Sequence, residues 1–171
     1  MSADKNSLVQ PFYTSLQRRL HWLVLLLLCV QFGLQWQMHA ALDAIERQET
    51  LSFGQFLVTT LHTWGGISIA AIMVWRWQLR RRRVPPAGGS LPAWREKLVL
   101  AHHVSLYVVI LFMALTGALH YYLGWQVPAL WHHRAKWLLL VLIGVHIAGA
   151  LSHIGDGNTV LHRMMGRGSL R

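Results

Sequence analysis

WHHRAKWLLLVLIGVHIAGALSH, residues 131–153, is where the character of this chain can be read most directly. The run is long enough to cross a bilayer, whose hydrocarbon core of about 30 Å takes roughly 20 helical residues. It nevertheless carries four histidines: His132, His133, His146 and His153. An ionisable side chain within a membrane is costly, so each is a candidate functional residue. Spacing separates them. His132 and His146 lie about 40° apart on one helical face and roughly 21 Å apart along the axis, the length scale of two porphyrins stacked through a bilayer. His133 is turned about 140° from His146 and points elsewhere. His153 shares the His146 face, but only about 10 Å away, too close for a second porphyrin on that side. A single histidine near a helix end is commonly just an interfacial polar residue; a pair on one face of a spanning segment is a stronger signal.

The rest of the composition agrees with a membrane protein. Of 171 residues 54% are hydrophobic, the mean hydropathy is +0.35, and only six side chains are acidic. Apolar runs near 20 residues recur, which predicts an all-α integral membrane four-helix bundle, surrounded by membrane lipid, with residues 1–171 forming a single transmembrane domain. A pI near 11.1 raises nucleic acid as a partner. The cations flank apolar segments instead of lining an amphipathic face, so they read as a topology signal and the nucleic-acid reading is excluded. Cys29 is the only cysteine, which excludes an internal disulfide and a thiolate cluster. Within an apolar run it is expected to be a buried, inert residue. No Cys-x-x-Cys-His occurs, so a haem would be held non-covalently. The first apolar run follows Arg18 and Arg19, is long and lacks a small-x-small exit, unlike a cleaved signal.

Taken in order, the spans are expected at about 16–38, 51–79, 94–123 and 129–154. A polar connection covers 39–50, helix breakers VPPAGGSLP fill 84–92, and a cytoplasmic tail covers 155–171. Thirteen of the sixteen Lys and Arg residues fall on the side of the two termini and the central loop. Only Arg47, Arg134 and Lys136 fall on the other. The positive-inside rule therefore places both termini and the central loop of this multi-pass protein in the cytoplasm. Trp36, Trp94, Trp125 and Trp131 sit near span ends, as interface anchors do.

Two bis-histidine haems need four imidazoles in two pairs matched in depth. Depth pairs His21 with His146 on the cytoplasmic side and His62 with His132 on the outer side. Gly65 and Gly66, three and four residues after His62, would clear the face beside that imidazole, as Gly149 and Ala150 would beside His146. Close helix packing explains such glycines equally well. Span three offers a rival pair, His102 and His120, which share a face about 27 Å apart and so lie near the two interfaces.

LHW in span one, LHTWGGIS in span two, HHVSLY and ALTG in span three, and VHIAGALSH followed by DGNTVLHRMM together resemble the bacterial cytochrome b561 family. The resemblance covers nearly the whole chain and implies a four-helix, two-haem b cytochrome of the inner membrane. It implies ligands from spans one, two and four, here His21, His62, His132 and His146. The chain departs from the family pattern twice. His132-His133 stands where the family commonly has His-Glu, and Ala114 where it often has proline; the helical-face argument favours His132 as the ligand.

Bis-histidine iron has no open coordination position, which favours outer-sphere electron transfer over chemistry at the metal. The resemblance implies ubiquinone as one partner and, for some members, superoxide as a donor on the outer side. Arg134 and Lys136, beside His132, would draw such an anion or hold propionates; as plain interfacial anchors they would do neither. His153 is the candidate titratable neighbour for a quinone that takes up protons. The alternative is a haem-bearing membrane-anchor subunit passing electrons between a separate dehydrogenase and quinone. The short connections offer little surface for one to dock.

Overall fold

The computed structural model describes residues 14–82 and 92–152. Among them four helices follow one another with no strand: α1 Ser15–Glu46, α2 Phe53–Arg81, α3 Ala93–Leu123 and α4 Gln126–Ser152. Each is long and apolar enough to cross a membrane. The all-α membrane four-helix bundle expected from hydropathy is the fold observed.

Helix ends follow local chemistry more closely than they follow hydropathy. Thr14 and Ser52 open α1 and α2 with capping boxes, each exchanging backbone and side-chain hydrogen bonds with the glutamine three residues on, Gln17 or Gln55. α1 then outlasts its apolar span, continuing to Glu46, because residues 39–46 contain no glycine or proline and Ala41 and Ala44 are buried. It stops in a Schellman arrangement: the Gln48 N–H donates to the Ile45 carbonyl and the Glu49 N–H to Ala44, both at 3.0 Å. Gln48 occupies the left-handed position there, φ 57°, where glycine is usual. α3 closes on Gly124, φ 68°, whose N–H donates to the His120 carbonyl at 2.9 Å. Because that turn is so tight, α4 starts at Gln126, earlier than expected, and Pro128 falls in its first turn, where a missing N–H costs nothing.

Backbones pack closely in chain order, α1 on α2, α2 on α3, and α3 on α4. Val24, Ile69, Met73, Tyr107, Val109, Ile110 and Leu139 meet in one core drawn from all four helices. In lipid such contacts act through close packing, since the tails outside are as apolar as the core. The outward faces are correspondingly apolar. The four anchor tryptophans are exposed, Trp36 at 85% the most of any large apolar residue. Cys29, expected to be buried, is exposed on α1, a face that lipid covers.

Polar links fasten α1 to α2. Arg76 Nη1 donates to the Gln17 carbonyl at 2.8 Å, and Gln17 Nε2 donates to the Leu79 carbonyl at 3.3 Å. Gln31 Nε2 reaches the Leu61 carbonyl and Gln55 Nε2 the Ala40 carbonyl, each at 3.3 Å. Membrane hydrogen bonds of this kind contribute about 0.6 kcal/mol on average, so the set orients the hairpin more than it anchors it. One end of the bundle carries Arg18, Arg19, Arg76, Arg80, Arg81, Arg82, Arg95 and Lys97; the other carries Arg47, Arg134 and Lys136. These are called the basic end and the opposite end below.

Candidate functional site

Histidine rings gather at two depths. Towards the basic end, His21 of α1 faces His146 of α4 with ring centres 6.0 Å apart. Towards the opposite end, His62 of α2 faces His132 of α4 with ring centres 6.2 Å apart. These are the two pairs expected from depth. α4 makes few close backbone approaches to α1 or α2. It meets them through side chains, Leu139 in the shared core and the imidazoles at the two depths, so the bundle keeps a separation that side chains alone bridge.

That separation suits a planar metal cofactor. Two imidazoles on opposite sides of one metal, at about 2.0–2.1 Å per bond, have ring centres about 6 Å apart, and both pairs have that spacing. His132 Nδ1–H donates to the Met113 carbonyl at 2.8 Å, which leaves Nε2 as a lone-pair donor. Gly117 of α3 lies against the same ring: a Cβ there would come within 3.1 Å of its Cε1 and Nδ1. His62 Nδ1 is buried without a hydrogen-bond partner among the described residues. An oriented nitrogen, a glycine cradle and an orphaned buried nitrogen together fit a ligated metal at this depth.

His102, which spacing set near an interface, and its neighbour His103 join the pair at the basic end. His102 stacks on His146 with centres 5.8 Å apart and planes 15° apart, and its Nε2 is buried without a partner among the described residues. His103 meets His146 edge-on at 5.4 Å, with Nδ1–H donating to the Val99 carbonyl at 2.7 Å. The rival pair of span three is thereby divided between two neighbourhoods, since His120 Nδ1 bonds the Trp125 carbonyl at 3.1 Å near the α3–α4 turn. Spacing along one helix could not show this, because the ring both of them meet, His146, belongs to α4. Arg76, read as a topology cation, lies within electrostatic reach of His21, His103 and His146.

His133 stacks on His39 of α1, centres 5.8 Å and planes 17° apart. The cations beside it are held by aromatic faces, Arg134 Cζ 5.7 Å over the Trp131 ring and Lys136 Nζ 5.0 Å over the Trp137 ring. His153 lies outside the described residues. The glycines divide between close packing and open space. Gly65 makes room for the Gln31 side chain of α1, while Gly66 and Gly149 have nothing within 4 Å of a built Cβ. Gly117, which sequence reading passed over, is the glycine that touches a site histidine.

The family model described as prokaryotic cytochrome b561 matches residues 13–167, nearly the entire chain. A search of the curated proteins finds no match.

Proposed function

The chain belongs to the prokaryotic cytochrome b561 family, and from that premise, which makes it a membrane haem b electron-transfer protein, we propose that it carries two haems. One would be held by His21 and His146, the other by His62 and His132. The observation that carries this reading is the pair of facing imidazoles at each of two depths, 6.0 and 6.2 Å between ring centres. Haem b held between two imidazoles supplies outer-sphere, one-electron transfer, with its potential set by burial and by neighbouring charge.

The protein's own groups then have distinct tasks. The Met113 carbonyl fixes the His132 tautomer, and Gly117 leaves space for that ring beside α3. Arg76 ties α1 to α2 one turn from His21 and places positive charge beside the pair at the basic end. At the opposite end, Arg134 and Lys136 favour an anionic donor, for which superoxide is the proposed species. Two superoxide anions give up one electron each and leave as dioxygen; ubiquinone takes two electrons and two protons and leaves as ubiquinol. His153 is the proposed proton-exchanging neighbour of the quinone. In a bacterial inner membrane with the basic end cytoplasmic, electrons would cross from the outer face inwards. The described connections are short, six residues between α1 and α2 and two between α3 and α4, which favours direct transfer over service as an anchor for a dehydrogenase.

Haem stoichiometry tests the ligand set. His62→Ala and His132→Ala should each leave one haem per chain and the same residual spectrum by the pyridine haemochrome assay. His21→Ala and His146→Ala should leave the complementary spectrum. Two haems retained by His132→Ala would refute the pairing.

A further inference from the structure

We propose that His39 and His133 form a surface site for a divalent transition-metal ion, Cu²⁺ in preference to Zn²⁺, at the opposite end of the bundle. The two rings come from α1 and α4, helices whose backbones stay apart, yet their centres lie 5.8 Å apart with planes nearly parallel. Imidazoles sharing one ion at about 2.0–2.1 Å per bond have centres about 5 Å apart in a tetrahedral shell and about 6 Å apart when opposed. The observed spacing lies between these limits, and because both side chains are exposed, a rotation that turns one nitrogen of each stacked ring towards the other lets one ion bridge them. Both residues are exposed, and no ring nitrogen of either is hydrogen-bonded to protein among the described residues. Neither has a structural task that binding would disrupt.

Neighbouring charge opposes a cation only partly. Lys136 and Arg134 are drawn over the Trp137 and Trp131 rings. No group of three or more His, Cys, Asp or Glu side chains is arranged to hold a metal among the described residues. Water therefore completes the shell, and the ion exchanges readily. Two neutral imidazoles with open positions suit copper best, because affinity of nitrogen sites peaks at Cu²⁺ in the divalent series. A dication bound here would adjoin His132 and add its charge to the face where an anionic donor is proposed to arrive.

The inference rests on the reading that His132, and not His133, serves a haem. Its test uses the untagged, haem-loaded protein in detergent, titrated with CuCl2 and separately with ZnCl2 by calorimetry. One Cu²⁺ per chain is expected, bound more tightly than Zn²⁺. His39→Ala and His133→Ala should each weaken copper by at least about tenfold, as loss of one of two protein donors implies. His120→Ala should leave binding unchanged, and all three variants should keep two haems. Wild-type copper binding in His39→Ala and His133→Ala, with both haems retained, would overturn the copper site alone. Loss of a haem from His133→Ala would overturn the ligand reading beneath it.

Discussion

Gly117→Ala should empty one haem site and spare the other. A Cβ at this position would stand 3.1 Å from both Cε1 and Nδ1 of His132, closer than ordinary van der Waals contact. The imidazole must then give by a few tenths of an ångström. Its 2.8 Å hydrogen bond to the Met113 carbonyl cannot follow without stretching. Losing that bond costs about 0.5–1.5 kcal/mol, while alanine in place of glycine gains about 0.8–1.0 kcal/mol of helix propensity in aqueous hosts. The two terms nearly cancel in global stability, so thermal unfolding is a poor assay here. Haem occupancy is a good one. Disturbing the partner that orients a metal-ligating histidine typically lowers metal affinity by about 10–100-fold. The His62–His132 haem should thus be retained at well under one per chain after detergent washing, while the His21–His146 haem stays near one. Gly54→Ala and Gly144→Ala serve as controls, because nothing lies within 4 Å of a Cβ built at either, Gly54 stands about two turns before His62, and Gly144 is turned about 160° from His146. Equal haem content in all three variants, with unchanged potentials and spectra, would refute the argument that Gly117 shapes a ligand.

Arg76→Gln should lower the reduction potential of the haem at the basic end, because a nearby cation favours the reduced state and this one reaches His21, His103 and His146; a redox titration resolves it, and an unchanged potential would contradict the placement. Gln48→Gly should stabilise the α1–α2 turn by about 1 kcal/mol, since Gln48 adopts φ 57°. Thermal unfolding would register it as a raised midpoint with unaltered haem content. Replacing Arg134 and Lys136 together with glutamine should slow haem reduction by superoxide and flatten its dependence on salt, while reoxidation by quinone keeps its rate. Stopped-flow reduction at low salt decides that case, and a wild-type rate would argue against the cationic face as an entry point. Cys29→Ser should leave both haem spectra unchanged, since the thiol faces outward from α1.

The four helices were legible because crossing a bilayer imposes a length and a composition on each segment separately, so hydropathy reports them one by one. The facing of His21 with His146 and of His62 with His132 was legible for a related reason. In helices that cross the same slab, distance from the span end gives depth, and depth restricts partners. Azimuth is a different matter. His102 has the same depth whether it faces lipid or His146, and only the packing of α3 on α4 selects the second. Gly117 shows the same limit: its neighbour, His132, is set by how two antiparallel helices register across the tight turn at Gly124, a quantity no single-helix period contains. His39 marks another boundary. It was placed in a polar connection because apolar character ends at Met38, but helix propensity carries α1 on to Glu46 and brings that imidazole alongside His133. Hydropathy thus located what lipid requires of the chain. What the helices require of one another, including which imidazole each histidine of α4 faces, depends on side chains spanning the gap that α4 keeps from α1 and α2.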